Sequence, residues 1–192
     1  MSLRRLEEGD LGVLLSWRNA SEIRLNMFRQ HVISEAEHLA WFESIRKDAS
    51  ACWLIYANPP GVPSGVVNFT RMDNAVGTAH WGFYAAPGSP PGTGTQLSLE
   101  ALDHAFLSLR LRAVFAEVLS SNDRSLAFHR KLGFREQGRR AEDHKIDGAH
   151  IPVLCFELSN EEWRQARAVL LERISAASAA IAGKTDRSRE GD

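Results

Sequence analysis

Ten residues near the middle of the chain, Ala86-Pro-Gly-Ser-Pro-Pro-Gly-Thr-Gly-Thr95, separate two stretches that follow different folding rules. Before them, residues 51–57 (ACWLIYA), 65–73 (GVVNFTRMD) and 78–85 (TAHWGFYA) are short and rich in β-branched and aromatic residues. The turns NPPGVPSG and DNAVG divide them. That spacing predicts an antiparallel meander. After them, residues 95–109 carry the apolar periodicity of a helix, and 113–119 (AVFAEVL) read as a strand. A short helix capped by Asn122 or a neighbouring serine ends at Gly133, and 151–158 (IPVLCFEL) form a last strand, completing a β-α-β-α-β half. Upstream, residues 3–6 can open a strand, and 9–19 predict a helix capped by Asp10. Residues 34–47 predict a second helix, in which Ser34 and Glu37 form a capping box and Leu39, Phe42 and Ile45 share an apolar face. Residues 160–181 predict a terminal amphipathic helix capped by Asn160, and 183–192 are polar enough to be disordered. The expected organisation is one α/β domain over 1–158, a helix over 159–182 and a disordered tail.

Composition narrows the function. The 192 residues are 44% hydrophobic and 24% charged, ordinary values for one soluble domain with a sizeable core. The 23 basic and 24 acidic side chains leave a net charge of -1, which argues against a nucleic-acid partner. No apolar run approaches the roughly 18 residues that cross a bilayer. The segment MSLRRLEEGD lacks an apolar signal core. A cytoplasmic chain with no membrane partner is expected. Cys52 and Cys155 lie in apolar runs and suit free thiols in a reducing compartment, although a spatially adjacent base could make one catalytic. The scattered histidines lack metal-ligand spacing, and there is no Gly-x-Ser-x-Gly elbow, so neither a metal nor a serine hydrolase is expected.

Two motifs carry chemistry. A helix that begins after Gly92-Thr93-Gly94-Thr95 exposes backbone N–H groups at its positive end, where glycines let a phosphate approach closely. The same pattern also serves as a mere tight connection. The second motif is residues 117–134, EVLSSNDRSLAFHRKLGF. Its Asn122-x-x-Ser125-x-x-x-His129-x-Lys131-Leu132-Gly133-Phe134 resembles the Asn-x-x-Ala/Ser-x-x-x-Tyr-x-Lys-x-Gly-Phe segment of the GNAT acetyltransferase superfamily, and the glycine loop lies about as far upstream as it does in that family.

The resemblance implies a mixed, mostly antiparallel sheet of six or seven strands flanked by helices, with two central strands splayed in a V that admits acetyl-CoA. It implies that Phe83, Tyr84 and Ala85 offer backbone groups to pantetheine. Gly92, Thr93, Gly94 and Thr95 would receive the diphosphate, and Asn122, Phe128 and Lys131 would flank the cofactor. Ser89 stands where the family loop usually opens with Gln or Arg, so a side-chain phosphate contact is lost. Glu117, near the end of its strand, is the first choice for general base, with a solvent-facing strand carboxylate as the alternative reading. His129 replaces the family's tyrosine; it either protonates the leaving thiolate or merely contacts CoA.

The run Trp17-Arg18-Asn19, Ile23-Arg24-x-Asn26-Met27-Phe28, Ser34-x-x-x-His38-x-x-Trp41, with Asn68–Arg71 and His80–Tyr84, is similar to the PseH group within that superfamily. This implies transfer of acetyl to the 4-amino group of a UDP-linked aminodideoxy sugar on a pseudaminic acid type pathway serving flagellin glycosylation. Arg24, Thr70 and Arg71 would then hold the diphosphate, and His38 the sugar or its phosphates. Met27, Phe28, Trp41 and Trp81 would offer flat apolar surface. Core packing is the alternative for each of the four, and Trp17 is assigned to the core. The rival acceptors are a protein N-terminus, as in the RimJ/RimL-like group, or another small amine. A non-catalytic acyl-CoA sensor is the rival of another class. The expected partner is a small molecule, with a homodimer allowed.

Overall fold

The computed structural model describes residues 2–58, 61–141, 144–146 and 148–187; side chains of the last helix are described as far as residue 172 and at residue 174. The expected fold is present. Seven strands form one sheet in the order β1 (Leu3–Arg5), β2 (Cys52–Asn58), β3 (Val62–Asp73), β4 (Thr78–Ala85), β5 (Ala113–Leu119), β9 (Val153–Ser159) and β6 (Arg135–Arg140). Every neighbouring pair is antiparallel except β4 and β5. A two-stranded ribbon, β7 (Lys145–Ile146) with β8 (Ala149–His150), lies outside the sheet.

Strand alternation sorts the core into two faces. On one side, α4 (Thr93–Asp103), α5 (Asp123–Lys131) and α6 (Asn160–Arg187) cover Phe69, Val114, Ala116, Val118 and Phe156. The approach of α4 is close: a Cβ on Gly65 would lie 2.5 Å from Leu97 Cδ1, so only glycine fits that point of β3. On the other side, α1 (Leu11–Asn19), α2 (Ser21–Arg24) and α3 (Glu35–Ile45) cover a smaller cluster of Leu14, Trp17, Ile23, Ile55 and Val66. Trp17 is in the core, as expected.

Several local expectations need correction. Asp10 does not cap α1 with its side chain; its carboxylate accepts from the Glu7 N–H and pairs with Arg4 at 2.6 Å, fixing a 3₁₀ turn over Glu8–Asp10 instead. In α3 the buried positions are His38 and Phe42, while Leu39 is 49% exposed, because the face meeting α1 is turned one residue from the stripe drawn on the sequence. Asn160 is not the cap of α6. The Ser159 hydroxyl accepts from the Glu162 N–H and donates to its carboxylate, a capping box one residue earlier. Backbone helix runs on to Arg187, past the expected end, and residues 188–192 lie outside the described residues. The strand β6 is new: its REQGRR sequence is exposed at every position, so no hydrophobic signal marks it. Charged side chains of this kind protect an edge strand from pairing with other chains. The Ser34–Glu37 box of α3 forms as expected, with the Ser34 hydroxyl accepting from the Glu37 N–H and Glu37 accepting from the Ser34 N–H at 2.8 Å. Ser34→Ala is expected to cost about 1 kcal/mol of stability, read as a lower urea midpoint with an unchanged slope.

Both cysteines are free thiols: Cys52 is buried and Cys155 partly so. Among the described residues no helix is long and apolar enough to cross a membrane, and no cluster of three metal-ligating side chains occurs.

Candidate active site

The sheet opens where its one parallel pair gives out. β4 and β5 are in register only at Thr78–Ala113, Ala79–Val114 and His80–Phe115. Beyond His80 the strands part, while β4 stays paired with β3 as far as Ala85 and β5 with β9 as far as Leu119. Each strand therefore turns an unpaired backbone edge, Trp81–Ala85 on one side and Ala116–Leu119 on the other, toward the gap. Such edges require hydrogen-bond partners, which an extended amide-bearing ligand laid between them supplies. A cavity of about 1040 Å³ occupies this fork and continues over the α1–α3 face.

At one end of the fork lies the start of α4. Gly92 precedes the helix in the left-handed region, φ 94°, and no side chain caps the turn. Thr93 donates to the Pro90 carbonyl at 3.2 Å, and Thr95 and Gln96 both donate to the Gly92 carbonyl. Neither Gly92 nor Gly94 donates to a backbone carbonyl. A Cβ added at Gly88, Gly92 or Gly94 would meet nothing within 4 Å, so the protein does not plug this helix end. The positive pole and its amides are open to an anion, which fits a diphosphate. Asn122, Arg124, Ser125 and Phe128 face it from α5. The Asn122 side chain accepts from the Ser125 N–H at 3.0 Å, capping α5 at the same time.

Most of the expected cofactor residues line this cavity: Phe83, Tyr84, Ala85, Gly92, Thr93, Gly94, Asn122 and Phe128. Thr95 and Lys131 do not. Lys131 lies two residues, or roughly 200° of helix rotation, beyond the buried His129, which turns it to solvent. Thr93 is buried, and its N–H is already taken by the Pro90 carbonyl.

His129 lines the cavity but stands deep in an aromatic box of Trp81, Phe83, Phe134 and Phe156, with ring centroids 5.1 to 6.0 Å away. Its Nδ1 donates to the Ser125 carbonyl at 2.8 Å. Burial pushes its pKa below the usual histidine value, and the Ser125 contact opposes this only in part. This corrects the imidazolium reading. The ring is neutral and tied through Nδ1–H, leaving Nε2 as an acceptor.

Glu117 is half-buried on β5 beside two guanidinium groups and an imidazole. Its Oε1 lies 3.2 Å from Arg140 Nη2, 3.6 Å from Arg71 Nη1 and 3.6 Å from His80 Nδ1. Arg71 reaches it through a local defect: β3 breaks register between Thr70 and Asp73, and Arg71 has φ 50°. A non-glycine residue there costs about 1 kcal/mol, and the bulge re-aims the side chain toward Glu117.

Of the residues expected to hold the acceptor, Met27, Phe28, His38, Thr70 and Arg71 line the half of the cavity over the α1–α3 face. Arg24 does not: its guanidinium donates to the Gln30 carbonyl and braces the loop over residues 25–33. Trp81 borders the cavity, but it alternates to the opposite face from Gly82 and Tyr84 and stacks on Phe134 at 5.4 Å within the core, the alternative its sequence position also allowed. Sequence reasoning missed Arg18, Trp53, Asn68, His80 and Arg124, all of which line the cavity. The signal for Asn68 lay in Gly82: its missing Cβ, which would sit 3.2 Å from Asn68 Nδ2, lets that amide lie over β4. Arg18 donates to the Arg29 carbonyl, but its buried Nη1 has no partner. Burial, foremost, lowers its pKa. His38 Nε2 and Trp53 Nε1, on the same wall, are buried and unpartnered too.

Residues 1–135 match the family described as the Acetyltransferase (GNAT) domain. A Bacillus subtilis protein, the SPbeta prophage-derived uncharacterized N-acetyltransferase YokL, is 27% identical over 168 residues, covering 85% of this chain and 92% of that protein. Among solved structures, the spermidine N-acetyltransferase of Vibrio cholerae in complex with CoA and spermine superposes with TM-score 0.77 at 22% identity, covering 84% of this chain and 96% of that one. A chimera of the Vibrio cholerae enzyme gives 0.76 at 21%, covering 86% and 99%. These relatives lend no support to the finer nucleotide-sugar expectation. The fork between β4 and β5, the open helix end and the family match together establish that the chain belongs to the GNAT family of acetyl-CoA-dependent N-acetyltransferases.

Proposed function

We propose that the enzyme acetylates a primary amine on a small acceptor that also carries an oxyanion, and that a nucleotide-linked aminosugar is such an acceptor. The observation that carries this reading is Arg18. A half-buried guanidinium with an unpartnered nitrogen, and with no carboxylate paired to it among the described residues, calls for an anion. Trp53 Nε1 adds a second donor on the same wall, and His38, held neutral by burial, adds an acceptor for a hydroxyl.

Acetyl-CoA supplies the activated acyl group. The chain's residues do the rest. The amides that open α4 hold the diphosphate, and the free edge of β4 runs along pantetheine. An N–H of Trp81–Ala85 donates to the thioester oxygen as it gains charge. The acceptor amine enters from the α1–α3 face toward Glu117 and His80, where its proton is lost.

A second reading, a polyamine acceptor, draws on Glu22 and Glu37 at the cavity wall. Ser34 and His31 hold the Glu37 pKa down at about 2, which keeps it anionic, but its carboxylate oxygens are already engaged by those two residues. Thiol release from acetyl-CoA across a UDP-linked 4-amino-4,6-dideoxy sugar, spermidine and an N-terminal peptide tests the choice. Turnover of the sugar nucleotide is expected, and Arg18→Gln is expected to raise its KM by about 10- to 100-fold, the worth of one charge-assisted contact, with little change in kcat. Turnover of spermidine alone, unaffected by that substitution, would refute the oxyanion reading.

A further inference from the structure

We propose that His80 is the general base of the transfer and that Glu117 is its positioning residue. The proposal rests on acetyl transfer to an amine at the fork, as argued above, and assigns the proton. His80 is the last β4 residue paired with β5, so its side chain stands at the vertex where the strands part, on the face from which the acceptor enters. Its imidazole is about a third exposed and borders the main cavity. Its Nδ1 faces Glu117 Oε1 at 3.6 Å across the strand gap. Phe115 supports the ring with a centroid separation of 5.6 Å.

Glu117 is already engaged, its Oε1 lying 3.2 Å from Arg140 Nη2 and 3.6 Å from Arg71 Nη1. The charged groups that face His80 are Glu117 from β5, Arg71 from β3 and Arg140 from β6. Burial is the largest influence and lowers its pKa, the two arginines lower it further, and Glu117 raises it. The ring is thus neutral near pH 7, as a base must be. In the step assigned to it, Nε2 takes one proton from the acceptor ammonium. The freed lone pair forms the C–N bond to the acetyl carbon, the C–S bond breaks, and the thiolate leaves with the second amine proton. The imidazolium then returns its proton to water.

The test compares pH profiles of kcat/KM for wild type, His80→Gln and Glu117→Gln, with the UDP-linked 4-amino-4,6-dideoxy sugar and spermidine as parallel acceptors. His80→Gln is expected to lower kcat by about 10²- to 10³-fold, to leave the KM for acetyl-CoA within about twofold, and to erase the acid limb. Glu117→Gln removes the group that raises the His80 pKa, so the acid limb is expected to move to lower pH and to persist. A limb that survives His80→Gln, or that vanishes only in Glu117→Gln, would overturn the proposal while leaving acetyl transfer intact. If wild type acetylates neither acceptor, the acceptor reading fails separately. The imidazole ¹⁵N signals of His80 then decide: neutral near pH 7 and titrating lower in Glu117→Gln supports the dyad, and indifference to that substitution refutes it.

Discussion

Gly94→Glu is expected to weaken CoA binding by about 100-fold or more, some 2.7 kcal/mol, while the protein remains as stable as wild type. Position 94 is in the first turn of α4, and a Cβ there meets nothing within 4 Å, so the new side chain fits without strain. A carboxylate at a helix N-terminus stabilises the helix by about 0.3 to 1 kcal/mol, and removing glycine from a helix adds a similar gain. The same carboxylate occupies the positive pole that the diphosphate requires and repels its charge. Binding and stability should therefore move in opposite directions. Calorimetric titration with CoA and a thermal melt read the two effects. A CoA affinity unchanged in Gly94→Glu would mean that the phosphates lie elsewhere.

The second large effect concerns α6, which begins beyond the family match of residues 1–135. Trp163 is 2% exposed in the main core, and its Nε1 donates to Asp103 Oδ1 of α4 at 3.0 Å. Arg167 grips the same carboxylate through Nε at 2.7 Å and Nη2 at 2.9 Å. Leu170 continues the contact at 3% exposed. Trp163→Ala removes one of the largest buried side chains and one partner of a half-buried carboxylate. About 3 to 5 kcal/mol of stability should be lost, lowering Tm by roughly 10 °C or more. A loss under about 1 kcal/mol would show that the helix is an appendage.

How far the residues announced this arrangement varies with how the signal is carried. The meander, the helix after the glycine loop and the Asn122 cap were legible, because period, turn chemistry and capping are local. The edge strand β6 was not, since REQGRR buries nothing and so leaves no apolar trace. Among site residues, Gly92, Gly94 and Phe83 came from a motif with a mechanism. Lys131 came from the second motif, residues 117–134, but rides on the wrong side of α5, which only helix rotation relative to the core decides. Arg24 and Arg18 lie one and a half turns apart in sequence. Which of them faces the cavity depends on the break between α1 and α2, and the loop carbonyl of Gln30 claims the first. His80 stayed hidden because its importance comes from register: three strands meet at Thr70, His80 and Phe115, and the third separates there.

Hydrogen exchange measured with and without CoA tests the central claim most directly, because it locates the ligand along the chain. Slower exchange is expected in two places, at Trp81–Ala85, where the free edge of β4 gains a partner, and at residues 92–96, where the opening amides of α4 are covered. Exchange left unchanged at both segments under saturating CoA would contradict the account.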